Sequence, residues 1–173
     1  MNITNVLLPE ASGTVRRIIF FSVLVFFGFI SNSPGIYSQG LSAVGVEKAR
    51  VVAMRFCLNT DSRYAGISEK DLVLSLAETK TLNNNIIYYI FNINREDGYI
   101  IISADLNSPP VLCYVPQGSF IPDPGKRPPA FNDWLNAFTL QIESSVRNPV
   151  KNARWQDQWN AFISKGKLVS GTL

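Results

Sequence analysis

From Ile86 to Val115 the chain reads IIYYIFNINREDGYIIISADLNSPPVLCYV, three runs of β-branched and aromatic residues separated by residues that favour turns. Runs this short and this apolar, bounded by Gly, Pro, Asn and Asp, favour strands over helices. The spacing predicts strands over Ile86 to Asn92, Tyr99 to Asp105 and Val111 to Val115, with Asp97-Gly98 as the hairpin signal of the first connection. The rest of the chain must therefore pack on a sheet.

The flanking segments carry helical period instead. Val46, Ala49, Ala53, Phe56 and Cys57 recur on one face, predicting a helix from Gly45 to Leu58 that Asn59-Thr60-Asp61-Ser62 ends. Leu72 to Leu76 reads as a short strand, and Asn83-Asn84-Asn85 as the turn into the spine. Pro128 and Pro129 suit the first turn of a second helix, where a missing amide hydrogen costs nothing. Its stripe is Phe131, Trp134, Leu135, Phe138, Ile142 and Val146, and Trp134 is expected to be among its most sensitive positions.

A third helix is expected over Asn152 to Ser164, with Trp155, Trp159, Phe162 and Ile163 on one side and Lys165-Gly166 at its end. Trp155 and Trp159 could stack a ligand, but at i, i+4 on an apolar face core packing is the stronger reading. The fold class is α+β: a small antiparallel sheet of about four strands with two to three helices packed on it.

Between the last strand and the second helix lie Pro116, Pro122, Pro124, Pro128 and Pro129, with Gly118 and Gly125. Fixed φ angles and absent donors exclude regular structure there. A connection of this length in a small domain is functional or disordered. Restricted loops lose little entropy on docking, so binding is the natural role.

The N-terminal third has another character. Arg16-Arg17 precede the unbroken apolar run Ile18 to Ile30, followed by the polar, helix-breaking Ser31 to Gly35. This is the layout of a secretory signal peptide over residues 1–38, with Gln39 as the expected mature N-terminus. A membrane anchor would need about 20 apolar residues. No cysteine follows the run to accept a lipid. Loss of Arg16, Arg17 and Glu10 with the leader lowers the charge from +3 to +2. That balance, without a basic cluster, leaves no footprint for nucleic acid.

Chemistry is sparse. The chain has no histidine, which removes Ser-His and Cys-His nucleophile systems and most zinc sites. Asp97, Asp105 and Asp123 are dispersed and read as solvated turn residues. No phosphate-binding or calcium-loop spacing occurs. The expectation is a protein that is not an enzyme and holds no metal and no cofactor. Cys57 and Cys113 have two readings in an exported chain: a bridge, or two buried thiols, the latter favoured because free cysteine is so often buried.

Four segments in order, Tyr89-Ile90-Phe91-Asn92, Gly98 to Asp105, Pro110 to Tyr114 and Gly118-Ser119-Phe120, resemble the prosegment of streptopain-type cysteine peptidases and the stand-alone Spi protease inhibitors. Phe131, Trp134, Leu135 and Gln141-Ile142 continue the likeness, which spans Val46 to Val146. The resemblance implies a domain over residues 39–146, followed by a helical tail over 147–173, that binds a papain-fold peptidase non-covalently and blocks its cleft. It further implies that the segment before the second helix reaches that cleft, with Gly118, Phe120, Asp123, Lys126, Arg127, Pro128 and Phe131 as candidate contacts.

Cys113 stands where such sequences usually have a small residue, which leaves a Cys57–Cys113 pairing or local repacking open. The chain ends at Leu173 where a peptidase would continue, so the expectation is a secreted or periplasmic bacterial inhibitor, monomeric when free, acting in trans. The alternatives are a non-inhibitory folding helper or envelope interaction module, and the remnant of a truncated peptidase.

Overall fold

The computed structural model describes residues 42–164. The leader expected over residues 1–38 and the Lys165-Gly166 helix end lie outside them. Strands β1 (Leu74–Leu82), β2 (Asn85–Ile93), β3 (Tyr99–Ser103) and β4 (Val111–Val115) form one antiparallel sheet in the order β1-β2-β3-β4. Helix α1 (Val46–Thr60) precedes the sheet, and α2 (Pro129–Arg147) and α3 (Ala153–Ile163) follow it. The protein is α+β, with helices on both faces of a four-stranded sheet.

That arrangement explains the composition of the spine. Tyr89, Phe91, Ile93, Ile100 and Ile102 point to one face and join α1 and α3 in a core with Val52, Ala53, Phe56, Trp159 and Phe162. Tyr88, Ile90 and Ile101 point to the other and meet Leu135 and Ile142 of α2. Central strands covered on both faces have no polar alternation to display, because successive side chains enter two different cores. Each fully buried large apolar side chain contributes about 1.5–3 kcal/mol before entropy.

β1 differs from its expectation. It begins at Leu74 and continues through Ala77-Glu78-Thr79-Lys80-Thr81 to Leu82, six residues beyond the predicted end. As an edge strand it pairs only with β2, through two register shifts, and its side chains are mostly exposed or half-buried. Polar residues suffice there, and bulges and charge on an edge discourage pairing with other chains. Asn83 and Asn84 close the β1–β2 hairpin, both with positive φ (50° and 64°) as a two-residue turn of this hand demands.

The helices are fixed by their ends. Nη1 of Arg55 in α1 donates to the backbone oxygens of Phe162 and Ile163, which closing α3 leaves without helical partners. Trp159 is buried, and its Nε1 donates to the Ser108 oxygen at 3.0 Å. Core packing is therefore its role. α2 is tied to the sheet by its C-terminal half: Asn83 Nδ2 donates to Glu143 Oε1 at 2.9 Å, and Ser145 Oγ to Asp105 Oδ2 at 2.7 Å.

The predicted stripe of α2 is only partly buried. Leu135 and Ile142 enter the core, whereas Phe131, Trp134 and Phe138 stay half-buried in a row, Phe131 stacked on Trp134 at 5.8 Å and Phe138 tilted against it at 4.5 Å. The helix leans on β2, so this aromatic row lies on its flank. Trp134 is accordingly an edge residue of the core, and Ile142 is a more central one.

Candidate functional site

Cys57 and Cys113 are both free. Cys57 packs with the α1 and α3 side of the sheet and Cys113 with the α2 side. The sheet stands between them, which removes the disulfide reading. Burial, reinforced by the charge of Asp61, pushes the Cys57 thiol up to about 12, and burial also raises Cys113. Neither is a nucleophile at neutral pH. Among the described residues no group of three or more His, Cys, Asp or Glu could hold a metal ion.

The segment leaving β4 is anchored rather than loose. Gly118, with φ +76°, accepts the Gly98 amide hydrogen through its carbonyl oxygen at 2.8 Å, and Asp97 and Gly118 form a parallel bridge. One step on, the Phe120 amide donates to Asn92 Oδ1 at 2.8 Å. The Phe120 ring is 4% exposed and meets Tyr99 edge to face at 5.6 Å. Its expected role as a contact gives way to that of a core anchor: an apolar ring beside Tyr99 and the α2-side core is drawn inward.

Beyond Phe120 the chain turns outward, and residues 121–126 are all exposed. Ile121, at 44% exposure, is an apolar residue at this crest that the sequence reading passed over. The expected absence of regular structure is corrected here. Pro124–Lys126 form one 3-10 turn, capped by Asp123, whose Oδ1 accepts from the Gly125 amide at 2.9 Å. Proline at the first position of a turn and aspartate before it are compatible with such a cap. Lys126 lies 3.9 Å from Asp123.

The return limb is held as well. Asn132 Nδ2 donates to the Pro124 oxygen at 2.9 Å, and the Arg127 guanidinium lies 5.0 Å from the centroid of Phe120. Pro128 caps α2, its oxygen accepting from the Phe131 amide at 3.0 Å. Phe131 reaches back to Tyr99, meeting it edge to face at 6.4 Å. Of the seven candidate residues, Asp123, Lys126 and Pro128 are exposed on or beside the crest. Gly118 and Phe120 anchor it, and Arg127 and Phe131 brace it from behind. Asn92 and Asn132, which pin the two limbs, carried no sequence signal beyond their amide side chains.

A polar cluster braces the same hairpin from the far side. Arg63 donates to Asp61 from Nη2 at 2.6 Å and to the Asp97 oxygen at 3.3 Å, and Tyr114 donates its hydroxyl to Asp61. Hydrogen bonds from Arg63 and then Tyr114 hold the Asp61 carboxyl well below the usual carboxylate range. Asp97 is therefore gripped by Arg63 on one side and Gly118 on the other. The hairpin tip is a rigid mount for the crest.

No helix among the described residues is long and apolar enough to cross a membrane. No curated protein and no solved structure matches the chain. The family model of the Spi protease inhibitors matches residues 41–142, from just before α1 into the second half of α2, and so includes the whole sheet and the crest. Membership of an inhibitor family points to a non-enzymatic protein. The chain belongs to the Spi protease inhibitor family, and its general role is that of a protease inhibitor.

Proposed function

We propose that the protein inhibits a streptopain-like cysteine peptidase of papain fold by seating the crest at residues 121–126 in the active-site cleft, without a covalent step. The observation that carries this reading is the combination of an exposed crest with limbs anchored at Gly118, Phe120 and Asn132. A segment ordered before docking loses little entropy on binding. Pro122 and Pro124 keep the crest from extending as a cleavable strand, because their φ is fixed and they donate no amide hydrogen. Cys57 is buried and Cys113 half-buried, and both thiols are raised in pKa, so a mixed disulfide with the peptidase's own cysteine is not part of the scheme.

An interface of about 1,600 Å² in total is ordinary for a tight protein inhibitor. The crest supplies only its centre, and the aromatic flank Phe131-Trp134-Phe138 offers apolar surface beside it. The proposed setting is the periplasm or the cell exterior, after removal of residues 1–38. Steady-state assays at several substrate concentrations test the mechanism: competitive inhibition that reverses on dilution is expected. Undiminished turnover together with a higher yield of refolded peptidase would instead assign the protein as a folding helper.

A further inference from the structure

The tip of the β2–β3 hairpin, residues 94–97, stands at the same end of the sheet as the crest. Tyr99 pairs with Val115, where β4 runs out toward the crest, and Asp97 bridges Gly118 just beyond it. The tip is also held from its other side. The Asn94 amide donates to the Val73 oxygen and the Val73 amide to Asn94 Oδ1, both at 2.9 Å. Asn94 Nδ2 donates to Asp97 Oδ2 at 3.0 Å, and the Asp97 amide closes the turn on the Ile93 oxygen at 3.0 Å. What this frame presents is Arg95.

Arg95 is exposed and, alone among the arginines of the described residues, has no partner. Arg50, Arg55, Arg63 and Arg147 pair with carboxylates, and Arg127 and Arg154 lie over aromatic rings. The φ of Arg95 is +73°, a left-handed backbone that glycine would hold at lower cost. The chain thus carries a long cationic side chain where the turn itself calls for glycine or asparagine. Val73, bonded to the neighbouring Asn94, is 60% exposed, so the tip shows an aliphatic surface beside an unpaired guanidinium. Arginine next to apolar area is the composition enriched in protein interfaces. Glu96 and Asp97 offset the charge at a distance, so the tip does not act by long-range attraction. A planar donor fork acts at contact, on a carboxylate that accepts two parallel hydrogen bonds.

We infer that the hairpin tip is a second docking element, seated on the rim of the peptidase cleft beside the crest, with Arg95 donating to a carboxylate of the peptidase and Val73 packed on apolar surface next to it. The inference rests on the crest reading and adds the partner chemistry that reading leaves open, an acidic residue on the rim of the cleft.

The test measures inhibition constants and dissociation rates against a streptopain-type peptidase for wild type, Arg95→Gly, Arg95→Lys and the protein in which a Gly-Ser linker replaces residues 121–126. Arg95→Gly is expected to weaken inhibition about tenfold or more, mostly through faster dissociation, while its urea midpoint stays level or rises. Arg95→Lys, which keeps the charge without the fork, should recover only part of the loss. Arg95→Asn, which also suits a left-handed turn, carries the comparison if Arg95→Gly does not fold. Inhibition by Arg95→Gly at wild-type strength, with the linker protein inactive, would overturn the second contact and leave the crest reading in place. Inhibition that survives the linker replacement would contradict the crest reading and the second contact with it.

Discussion

The carbonyl oxygen of Gly118 accepts the amide hydrogen of Gly98 at 2.8 Å, joining the start of the candidate inhibitory segment to the tip of the central hairpin. The contact depends on Gly98 in a second way. Its φ is +125°, and a Cβ there would stand 2.1 Å from the Val115 carbonyl oxygen. Gly98→Ala must therefore strain its own backbone and push β4 away. We expect a loss of at least about 2 kcal/mol in urea unfolding, with weaker inhibition because the mount of the crest is displaced.

Replacing residues 121–126 by a Gly-Ser linker of equal length should separate inhibition from folding. These residues are exposed, and Phe120 and Arg127 on either side remain in place. Stability should change by no more than about 1 kcal/mol, while inhibition is lost. Ile101→Asp supplies the contrast: Ile101 is fully buried, and a charge there has no partner, so the domain should not fold. Circular dichroism and a peptidase assay on the two proteins give the comparison.

Acid should loosen the clasp at Asp61. Its carboxyl titrates well below the usual value in the folded protein because Arg63 and Tyr114 donate to it. Between that depressed value and the unfolded value of about 3.9, the unfolded chain binds more protons, so stability rises with pH. The contribution is complete above about pH 4 and is lost as the pH falls through the folded value. Urea midpoints measured across the acid range should show a steeper decline in wild type than in Asp61→Asn.

The thiols should be silent until the protein unfolds. Cys57 is pushed up to about 12 and Cys113 is raised by burial. Iodoacetamide at neutral pH should leave both unmodified in the native state and alkylate both in denaturant. A reducing agent should not shift the unfolding midpoint. Equal midpoints with and without reductant would fit two thiols on opposite faces of the sheet, and a large drop would mean a bridge.

The parts of the fold that were legible in the sequence are those where burial dictates residue type. β2 and β3 are mostly apolar because they face two cores, and β4, half-buried along its length, packs toward both; their bounds were readable to within about two residues, the usual uncertainty of such ends. β1 was hidden beyond Leu76, since an edge strand need not be apolar. α2 was visible from its period, but the sequence could not tell that the helix would lean on β2 and leave Trp134 half-exposed. At the candidate site, the proline density set the segment apart from the regular elements on either side. Which residues face outward depends on a tertiary accident, the pocket beside Tyr99 that takes in Phe120 and leaves Ile121 at the crest.

The central claim, that the chain is a tight inhibitor of a streptopain-type cysteine peptidase, is tested most directly by titrating the protein against an active-site-calibrated peptidase of that type. Residual turnover should fall linearly to zero at one inhibitor per active site. Turnover that persists unchanged in large excess of the protein would contradict the account.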